Sequence, residues 1–278
     1  MAGGRDYPFS VSPAELERIA RQSARFAPAT LRAFREAGLR PGMRVLDAGC
    51  GTGDSTRVAA SLVGPTGAVV GVDRDPHVLA VARAQADASV ELIAGDFRWT
   101  VLPGPFDAIV GRFVLTFQSD LVAALRALIA AVRPGGVLAF VEIDRTPTFV
   151  SMPQLPLWEQ SGARVGEALT RLGAGRHTGL ELAPALQDAG LVDVRVQVVD
   201  AFLQYPGDRF FSASLVGLLR SMLPTLEAAG IVTAESIGLD TLEERLVAEV
   251  DTVRGVGRGP LVFAGWGVVP DGRRDAGL

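Results

Sequence analysis

The part of this sequence best suited to chemistry is a glycine-rich turn that begins at Asp47. It reads D-A-G-C-G-T-G and lies between a short apolar segment and a segment with helical spacing. Gly49 and Gly51 permit a tight turn and let a ligand approach backbone N–H groups at the start of the helix. A dinucleotide fingerprint has the spacing G-x-G-x-x-G, whereas these glycines follow G-x-G-x-G. The turn is therefore predicted to hold a ligand in a way that departs from the NAD pattern.

Polar and aromatic residues also follow the next three apolar segments. Asp73 and Arg74 follow the second segment, Asp96 and Phe97 the third, and Arg112 the fourth. In an open α/β sheet, ligands bind at the carboxyl ends of the strands. If these segments are parallel strands, the residues gather at that edge. The simpler interpretations are solvated strand-end aspartates, turn residues and a surface guanidinium.

The elements that must position these residues alternate between strands and helices. Strands are predicted at 44–47, 68–72, 90–94, 106–110, 137–143, 192–199 and 261–268. Each is nearly continuously apolar, which indicates a parallel sheet with helices on both faces. The predicted fold class is therefore α/β, with a seven-stranded, mostly parallel sheet and added helical lid segments.

Helix-rich segments are predicted as additions to this sheet. The chain is expected to form a single domain over 1–278, because no linker divides it. Its core is predicted at about 38–146, 178–202 and 258–270, and its helical cap or lid segments at about 1–37, 146–177 and 203–257. The first helix is expected to break or kink at Pro28. The helix over 210–226 is apolar on most sides, which fits core packing, a lid over an apolar pocket, or a homodimer interface.

Composition excludes several functional classes. The chain has 278 residues, of which 48% are hydrophobic and 21% charged, which is typical of a globular protein. The net charge is −4 and no basic stripe is present, so nucleic acid is not an expected partner. All 27 basic residues are arginine, so lysine chemistry such as a Schiff base or a Walker-type phosphate site is excluded.

The cysteine count and the hydropathy pattern bear on redox chemistry and location. Cys50 is the only cysteine, so an intramolecular disulfide is impossible and a cysteine-based zinc site is not expected. The first residues lack the apolar core of a signal peptide, and no run of about 18 apolar residues is present. We expect a cytoplasmic, metal-free protein that does not associate with a membrane.

Residues 44–146 resemble the core of the class I S-adenosylmethionine (SAM)-dependent methyltransferases, of the bacterial small-molecule type. Ordered matches carry the resemblance: the glycine-rich turn, an acidic strand end at Asp73, the pair Asp96 and Phe97, the fourth strand with Arg112, and the turn R-P-G-G before the fifth strand. The resemblance implies a Rossmann-like methyltransferase fold that binds SAM. It also implies that the last strand lies antiparallel between the fifth and sixth strands.

The resemblance also implies a role for each of these residues. Asp73 would accept hydrogen bonds from the ribose hydroxyls, and Asp96 from the adenine amino group, with Phe97 or Arg74 flanking the ring. Gly49 and Gly51 would line the methionine end of the cofactor.

Three further residues near the methionine end have open alternatives. Asp47 would pair with the ammonium group or brace the loop. Arg112 would touch the amino-acid end of SAM or lie at the surface. Cys50, within the turn, is interpreted as a small buried filler rather than a nucleophile, because no basic partner adjoins it.

A catalytic base is needed only if the methyl acceptor must lose a proton, as a hydroxyl does. His177 is the candidate, because its loop G-R-H-T-G could reach the substrate and its ordinary pKa suits proton removal near neutral pH. Glu142 and Asp144, at the end of the fifth strand, are the other candidates. The alternatives are an exposed loop histidine and carboxylates that brace a loop.

The predicted function is transfer of a methyl group from SAM to a small, partly apolar metabolite, with O-methylation favoured, in specialised metabolism. An Asn/Asp-Pro-Pro-aromatic segment, typical of amino-methylating nucleic-acid enzymes, is absent after the fourth strand. The alternatives are a SAM-binding protein of this fold that catalyses a cyclisation or rearrangement, and a non-catalytic SAM-binding partner protein.

Overall fold

The computed structural model describes residues 12–87, 90–146 and 149–271. Within them the chain forms an α/β fold with one eight-stranded sheet. The strands are β1 (Arg44–Ala48), β2 (Ala68–Asp73), β3 (Val90–Ala94), β4 (Phe106–Arg112), β5 (Val132–Asp144), β6 (Val150–Met152), β7 (Val192–Gln204) and β8 (Val256–Val268). The strand order is β3-β2-β1-β4-β5-β8-β6, and β7 also pairs with β8. The predicted fold class is confirmed.

The first five strands run parallel to one another. β1 pairs with β2 and β4, β2 with β3, and β4 with β5, all in parallel. Valine, leucine, isoleucine and alanine fill the central strands, and their side chains are buried. Continuous apolar runs are expected for strands covered on both faces, because neither face can be polar.

The last strand lies where the family resemblance places it, between β5 and β7. Gly265 lies against Val196 and Gly267 against Val194, so residue numbers rise in opposite directions along β7 and β8, as in an antiparallel pair. The short strand β6 pairs antiparallel with the first residues of β8 and was not predicted. Three residues next to several prolines are too few to show a strand pattern.

Helices occupy the segments between and beyond the strands. They are α1 (Pro13–Glu36), α2 (Asp54–Val63), α3 (Pro76–Gln85), a 3-10 helix (Leu115–Phe117), α4 (Leu121–Ile129), α5 (Pro156–Arg171), α6 (Thr178–Asp188), α7 (Phe210–Ala228), α8 (Ala234–Ile237) and α9 (Leu239–Val253). α1 continues through Pro28, so the predicted break is wrong. Buried Phe26, Ala29 and Thr30 on both sides of the proline hold the helix in place by packing.

The chain divides into two compact units. Of the described residues, the sheet unit contains 23–144, 177–200 and 262–271, and the helical unit contains 12–22, 145–176 and 201–261. The prediction that the core and the cap segments make one domain stays a prediction. The predicted cap over 1–37 also stays a prediction, and α1 belongs to the sheet unit from Ser23 onward.

The helical unit has an aromatic core of its own. The ring of Trp158 lies 5.3 Å from that of Phe149 and 5.0 Å from that of Phe211, and Phe202 lies 6.0 Å from Phe211. One face of α7 is buried, which agrees with core packing for that face. The roles of this helix as a lid or as a dimer interface stay predictions.

Candidate cofactor site

Strand register brings the predicted site residues to one edge of the sheet unit. Asp47 of β1 pairs with Gly71 of β2 and with Val110 of β4. Paired residues of parallel strands point to the same face, and so do residues two positions apart. The side chains of Asp47, Asp73 and Arg112 therefore share one face at the carboxyl ends of three adjacent strands.

Asp47 is a buried carboxylate with one satisfied oxygen and one unsatisfied oxygen. Its Oδ2 accepts hydrogen bonds from the hydroxyls of Ser55 and Thr56, both at 2.7 Å. Its Oδ1 is buried and has no hydrogen-bond partner. Burial raises the pKa of Asp47 to about 6, against the opposing effect of the two hydroxyls. The hydroxyls come from the first turn of α2 and were not identified from the sequence.

Arg112 is likewise a charged side chain with one hydrogen-bonded polar atom and one unpaired polar atom, but its charge is positive. Its Nη2 donates to the hydroxyl of Ser23 in α1 at 2.8 Å, whereas its buried Nη1 has no partner. Burial lowers the pKa of Arg112, and the negative charges of Asp54 and Asp47 oppose that shift. The site thus contains an unpaired buried donor and an unpaired buried acceptor of opposite charge.

The glycine-rich turn is fastened to β2 by its own backbone. The N–H groups of Gly49 and Cys50 donate to the carbonyl of Val72 at 2.8 and 3.0 Å, and that of Gly51 donates to Asp73 Oδ2 at 2.8 Å. These three N–H groups are therefore occupied within the protein, which differs from the expected approach of a ligand to them. The glycines instead provide positive φ angles, 68° at Gly49 and 53° at Gly51.

Cys50 is buried within this turn. A Cβ atom on Gly71 would lie 2.9 Å from the sulfur, so the thiol fills the space above a glycine of β2. Burial raises the pKa of the Cys50 thiol far above its ordinary value. The sulfur therefore stays protonated, as the filler interpretation requires.

Asp73 retains hydrogen-bonding capacity at the end of β2. Its Oδ2 accepts from the N–H of Gly51, and its Oδ1 accepts from the N–H of Asp75 at 2.9 Å. Burial raises the pKa of Asp73, and the two N–H groups oppose that shift. A carboxylate offers about four lone-pair positions, so two remain for a ligand's hydroxyl groups. Arg74 is exposed beside it.

The end of β3 differs in detail from the prediction. Asp96 is held by Arg98, whose Nε and Nη2 donate to its two oxygens at 2.9 and 2.5 Å, and these bonds lower the pKa of Asp96. Phe97 is only 7% exposed, whereas Trp99 is 78% exposed. The open aromatic surface at this strand end thus belongs to Trp99, which the sequence analysis did not single out.

Glu142 lies fully buried in β5 and faces the segment that follows β4. Its Oε1 accepts from the N–H groups of Val114 and Leu115 at 3.0 and 2.8 Å, and its Oε2 from Thr116 at 3.3 Å. Burial raises the pKa of Glu142 to about 7, against the three N–H groups. This geometry is that of a brace for the segment.

Other predicted or neighbouring residues have different surroundings. His177 is exposed directly before α6, and its carbonyl accepts from Glu181 at 2.9 Å. Asp144 is buried and accepts from the N–H of Leu180 in the first turn of α6 at 2.9 Å. Gln118, which the sequence analysis missed, carries a buried amide oxygen without a partner.

The described residues show neither a metal cluster nor a membrane-spanning helix. They contain no group of three or more histidine, cysteine, aspartate or glutamate side chains able to hold a metal ion. No described helix has the length and apolar character needed to cross a membrane.

Residues 39–187, more than half of the chain, match the model of a family described as a methyltransferase domain. The chain therefore belongs to this family, whose class is that of the SAM-dependent methyltransferases.

Known proteins extend the comparison. A demethylmenaquinone methyltransferase from Staphylococcus aureus is 32% identical over 132 residues, which are 46% of this chain and 52% of that protein. The chain thus matches about half the length of these curated relatives.

Solved structures share the fold at low identity. One is phosphoethanolamine N-methyltransferase 2 from Haemonchus contortus with phosphomonomethylethanolamine and S-adenosylhomocysteine: TM-score 0.55, 17% identity, 87% of this chain and 52% of that chain. Another is the [4+2]-cyclase SpnF: TM-score 0.51, 18% identity, 88% of this chain and 80% of that chain.

The orphaned polar pair fits the amino-acid end of SAM. An ammonium group can donate to Asp47 Oδ1, and a carboxylate can accept from Arg112 Nη1. Both atoms are buried and unpaired in the described structure, a condition that costs about 1–3 kcal/mol for each group. A zwitterionic ligand would satisfy both atoms together.

Proposed function

We propose that this protein transfers the methyl group of SAM to a small, partly apolar metabolite, with O-methylation as the favoured reaction. The observation that carries the cofactor assignment is the pair of unpaired buried atoms, Asp47 Oδ1 and Arg112 Nη1, beside the glycine-rich turn. Their opposite charges match the ammonium and carboxylate of the methionine end.

Other residues at the same sheet edge would bind the rest of the cofactor. Asp73 would accept from the ribose hydroxyls through its free lone pairs. Asp96, held in orientation by Arg98, would accept from the adenine amino group. Trp99 or Arg74, which are both exposed, would flank the adenine ring, a role first assigned to Phe97 or Arg74.

SAM supplies an activated methyl group when bound, so the protein's main tasks are binding and orientation. A hydroxyl acceptor also needs a base. His177 remains our candidate because it is exposed on the loop before α6, whereas both oxygens of Glu142 are engaged by backbone N–H groups. We assign Glu142 to bracing rather than to proton transfer.

The acceptor class rests on the curated relative. That protein's name states a demethylmenaquinone substrate, and a quinone is a small ring compound with apolar character. We propose an acceptor of this general kind, an aromatic or hydroquinone ring that carries a hydroxyl group, within specialised metabolism. Cytoplasmic location and a homodimer stay predictions.

The test uses SAM with a labelled methyl group and a panel of hydroquinones, phenols and amines. We expect label in an oxygen-bearing ring compound together with release of S-adenosylhomocysteine. His177→Ala should then lower turnover by roughly 100-fold if it is the base. Label found only on a ring carbon or on the nitrogen of an amine would contradict O-methylation. A product formed without consumption of SAM would favour the cyclisation alternative, and SAM binding without any product would favour a partner protein.

A further inference from the structure

A fully buried carboxylate, Glu142, holds the backbone that follows β4. Its three hydrogen-bond donors are the N–H groups of Val114, Leu115 and Thr116, at the start of the 3-10 helix. Burial of an ionisable group is costly unless hydrogen bonds compensate. The bonds of Glu142 all go to this one segment, so its effect on the molecule passes through that segment.

The held segment contacts the glycine-rich turn. A Cβ atom on Gly49 would lie only 2.4 Å from Val114 Cγ2, and one on Gly111 would lie 2.8 Å from Val114 Cγ1. Val114 is therefore packed directly against two glycine backbones. Any shift of residues 114–116 would open a gap beside Gly49 or press into it.

The backbone before Val114 does not adopt this path freely. Phe113 has a φ of 57°, a conformation that costs a non-glycine residue about 1–3 kcal/mol. Its ring packs edge-on against Phe26 at 5.7 Å, and its N–H donates to Val141 at 2.9 Å. A strained segment of this kind keeps its position only where its surroundings hold it.

We propose that Glu142 is a positioning residue for the cofactor: by holding residues 114–116 it fixes Val114 against Gly49 and so shapes the methionine end of the SAM site. This inference rests on the proposed function. It differs from a catalytic role, because Glu142 acts only through Val114.

Two substitutions of Glu142 test this positioning role: one keeps an acceptor oxygen and the other removes it. Glu142→Gln keeps a carbonyl oxygen that can accept from Val114 and Leu115, and it gives up the longest bond, to Thr116. Glu142→Ala leaves three backbone N–H groups without their acceptor. Glu249→Ala is the matched control, because Glu249 is also a carboxylate that accepts hydrogen bonds from backbone N–H groups, in this case two at the start of α5.

The experiment measures binding of S-adenosylhomocysteine and of 5′-methylthioadenosine, which lacks the amino-acid end, by calorimetry. We expect Glu142→Ala to weaken S-adenosylhomocysteine binding at least 10-fold and methylthioadenosine binding less than threefold. Glu142→Gln should restore S-adenosylhomocysteine affinity to within threefold of wild type. Glu249→Ala should leave both affinities within threefold.

Several results would overturn the proposal. These are unchanged S-adenosylhomocysteine affinity in folded Glu142→Ala, an equal loss of affinity for both ligands, or an equal loss of affinity in Glu249→Ala. If Glu142→Ala does not fold, Val114→Ala replaces it: at least threefold weaker S-adenosylhomocysteine binding supports the proposal, and a smaller change refutes it. A wild-type protein that binds neither ligand would instead overturn the proposed function.

Discussion

At the scale of single residues, the site is defined by polar atoms that the protein leaves unsatisfied. One carboxylate oxygen of Asp47 accepts hydrogen bonds from Ser55 and Thr56, and the other oxygen has no partner. One terminal nitrogen of Arg112 donates to Ser23, and the other has no partner. The anchoring bonds fix the orientation of the free atoms before a ligand arrives. Preorganisation of this kind reduces the entropy lost on binding.

Arg112→Met tests the assignment of the guanidinium to the cofactor's carboxylate. Loss of a charge-assisted hydrogen bond should weaken S-adenosylhomocysteine binding by about 10-fold or more. The affinity for 5′-methylthioadenosine should change less than threefold, because that ligand has no carboxylate. Calorimetry with both ligands makes the comparison, and a parallel loss for both would refute the assignment.

Asp73→Asn should affect both ligands alike. The ribose is common to S-adenosylhomocysteine and methylthioadenosine, so we expect each to bind about 10-fold more weakly when the charged acceptor is lost. Asp75→Asn is the matched control: it is the next carboxylate along the chain, and asparagine preserves its capping of α3. Equal affinities of Asp73→Asn and wild type would remove the ribose assignment.

Sequence patterns pointed to the candidate site residues but not to their partners. Asp47, Asp73 and Arg112 were singled out because strand ends are readable from apolar runs and because the family resemblance implies roles for residues at those ends. Ser23 was not, because it lies 89 positions from Arg112 in sequence and meets it only in the folded chain. Likewise, Phe97 and Trp99 both follow β3, and only packing decides that the first is buried and the second exposed.

At the scale of elements, the glycine-rich turn and the segment after β4 form one packed layer. Gly49 and Gly51 both have positive φ, but their surroundings differ. A Cβ atom at Gly49 would overlap Val114, whereas nothing lies within 4 Å of a Cβ atom at Gly51. A side chain at Gly51 would therefore add backbone strain alone, whereas a side chain at Gly49 would add both backbone strain and a steric clash.

Gly49→Ala should destabilise the protein more than Gly51→Ala. Both substitutions place a side chain at positive φ, which costs about 1–2 kcal/mol, and Gly49→Ala adds overpacking of typically 1–3 kcal/mol. Chemical denaturation measures the difference. The double variant Gly49→Ala, Val114→Ala should recover part of the added cost, and no recovery would show that Val114 is not the obstacle.

Element types were predictable where the apolar pattern was long. The parallel strands have the predicted type, and β1 to β4 have nearly the predicted bounds, whereas β5 begins at Val132 rather than at 137. Strand β6 was not predictable, because it depends on pairing with the distant strand β8. The continuity of α1 through Pro28 was not predictable either, because it depends on tertiary packing that outweighs the cost of a proline inside a helix.

At the scale of the whole molecule, buried carboxylates make stability depend on pH. The pKa values of Asp47 and Glu142 rise from 3.8 and 4.5 to about 6 and about 7 in the folded protein. The folded state therefore binds more protons than the unfolded state across this range. Their contribution to stability is complete below the unfolded-state pKa values and is lost as pH rises through the folded ones.

Glu142→Gln isolates one of these contributions. Gln cannot ionise, so the stability of wild type relative to this variant should fall by about 3 kcal/mol between about pH 4 and about pH 8. Denaturant unfolding of both proteins across that range measures the difference. A pH-independent difference for Glu142→Gln would contradict the shifted pKa.

The burial of Cys50 in the glycine-rich turn gives the molecule a built-in reporter. As the single thiol of the chain, it can react with a disulfide reagent only when the turn opens or the protein unfolds. The labelling rate under native conditions therefore measures the opening free energy of the turn itself, without any introduced probe. A ligand that closes over the turn would slow the reaction in proportion to its occupancy, so the kinetics of one sulfur atom would record binding for the entire protein.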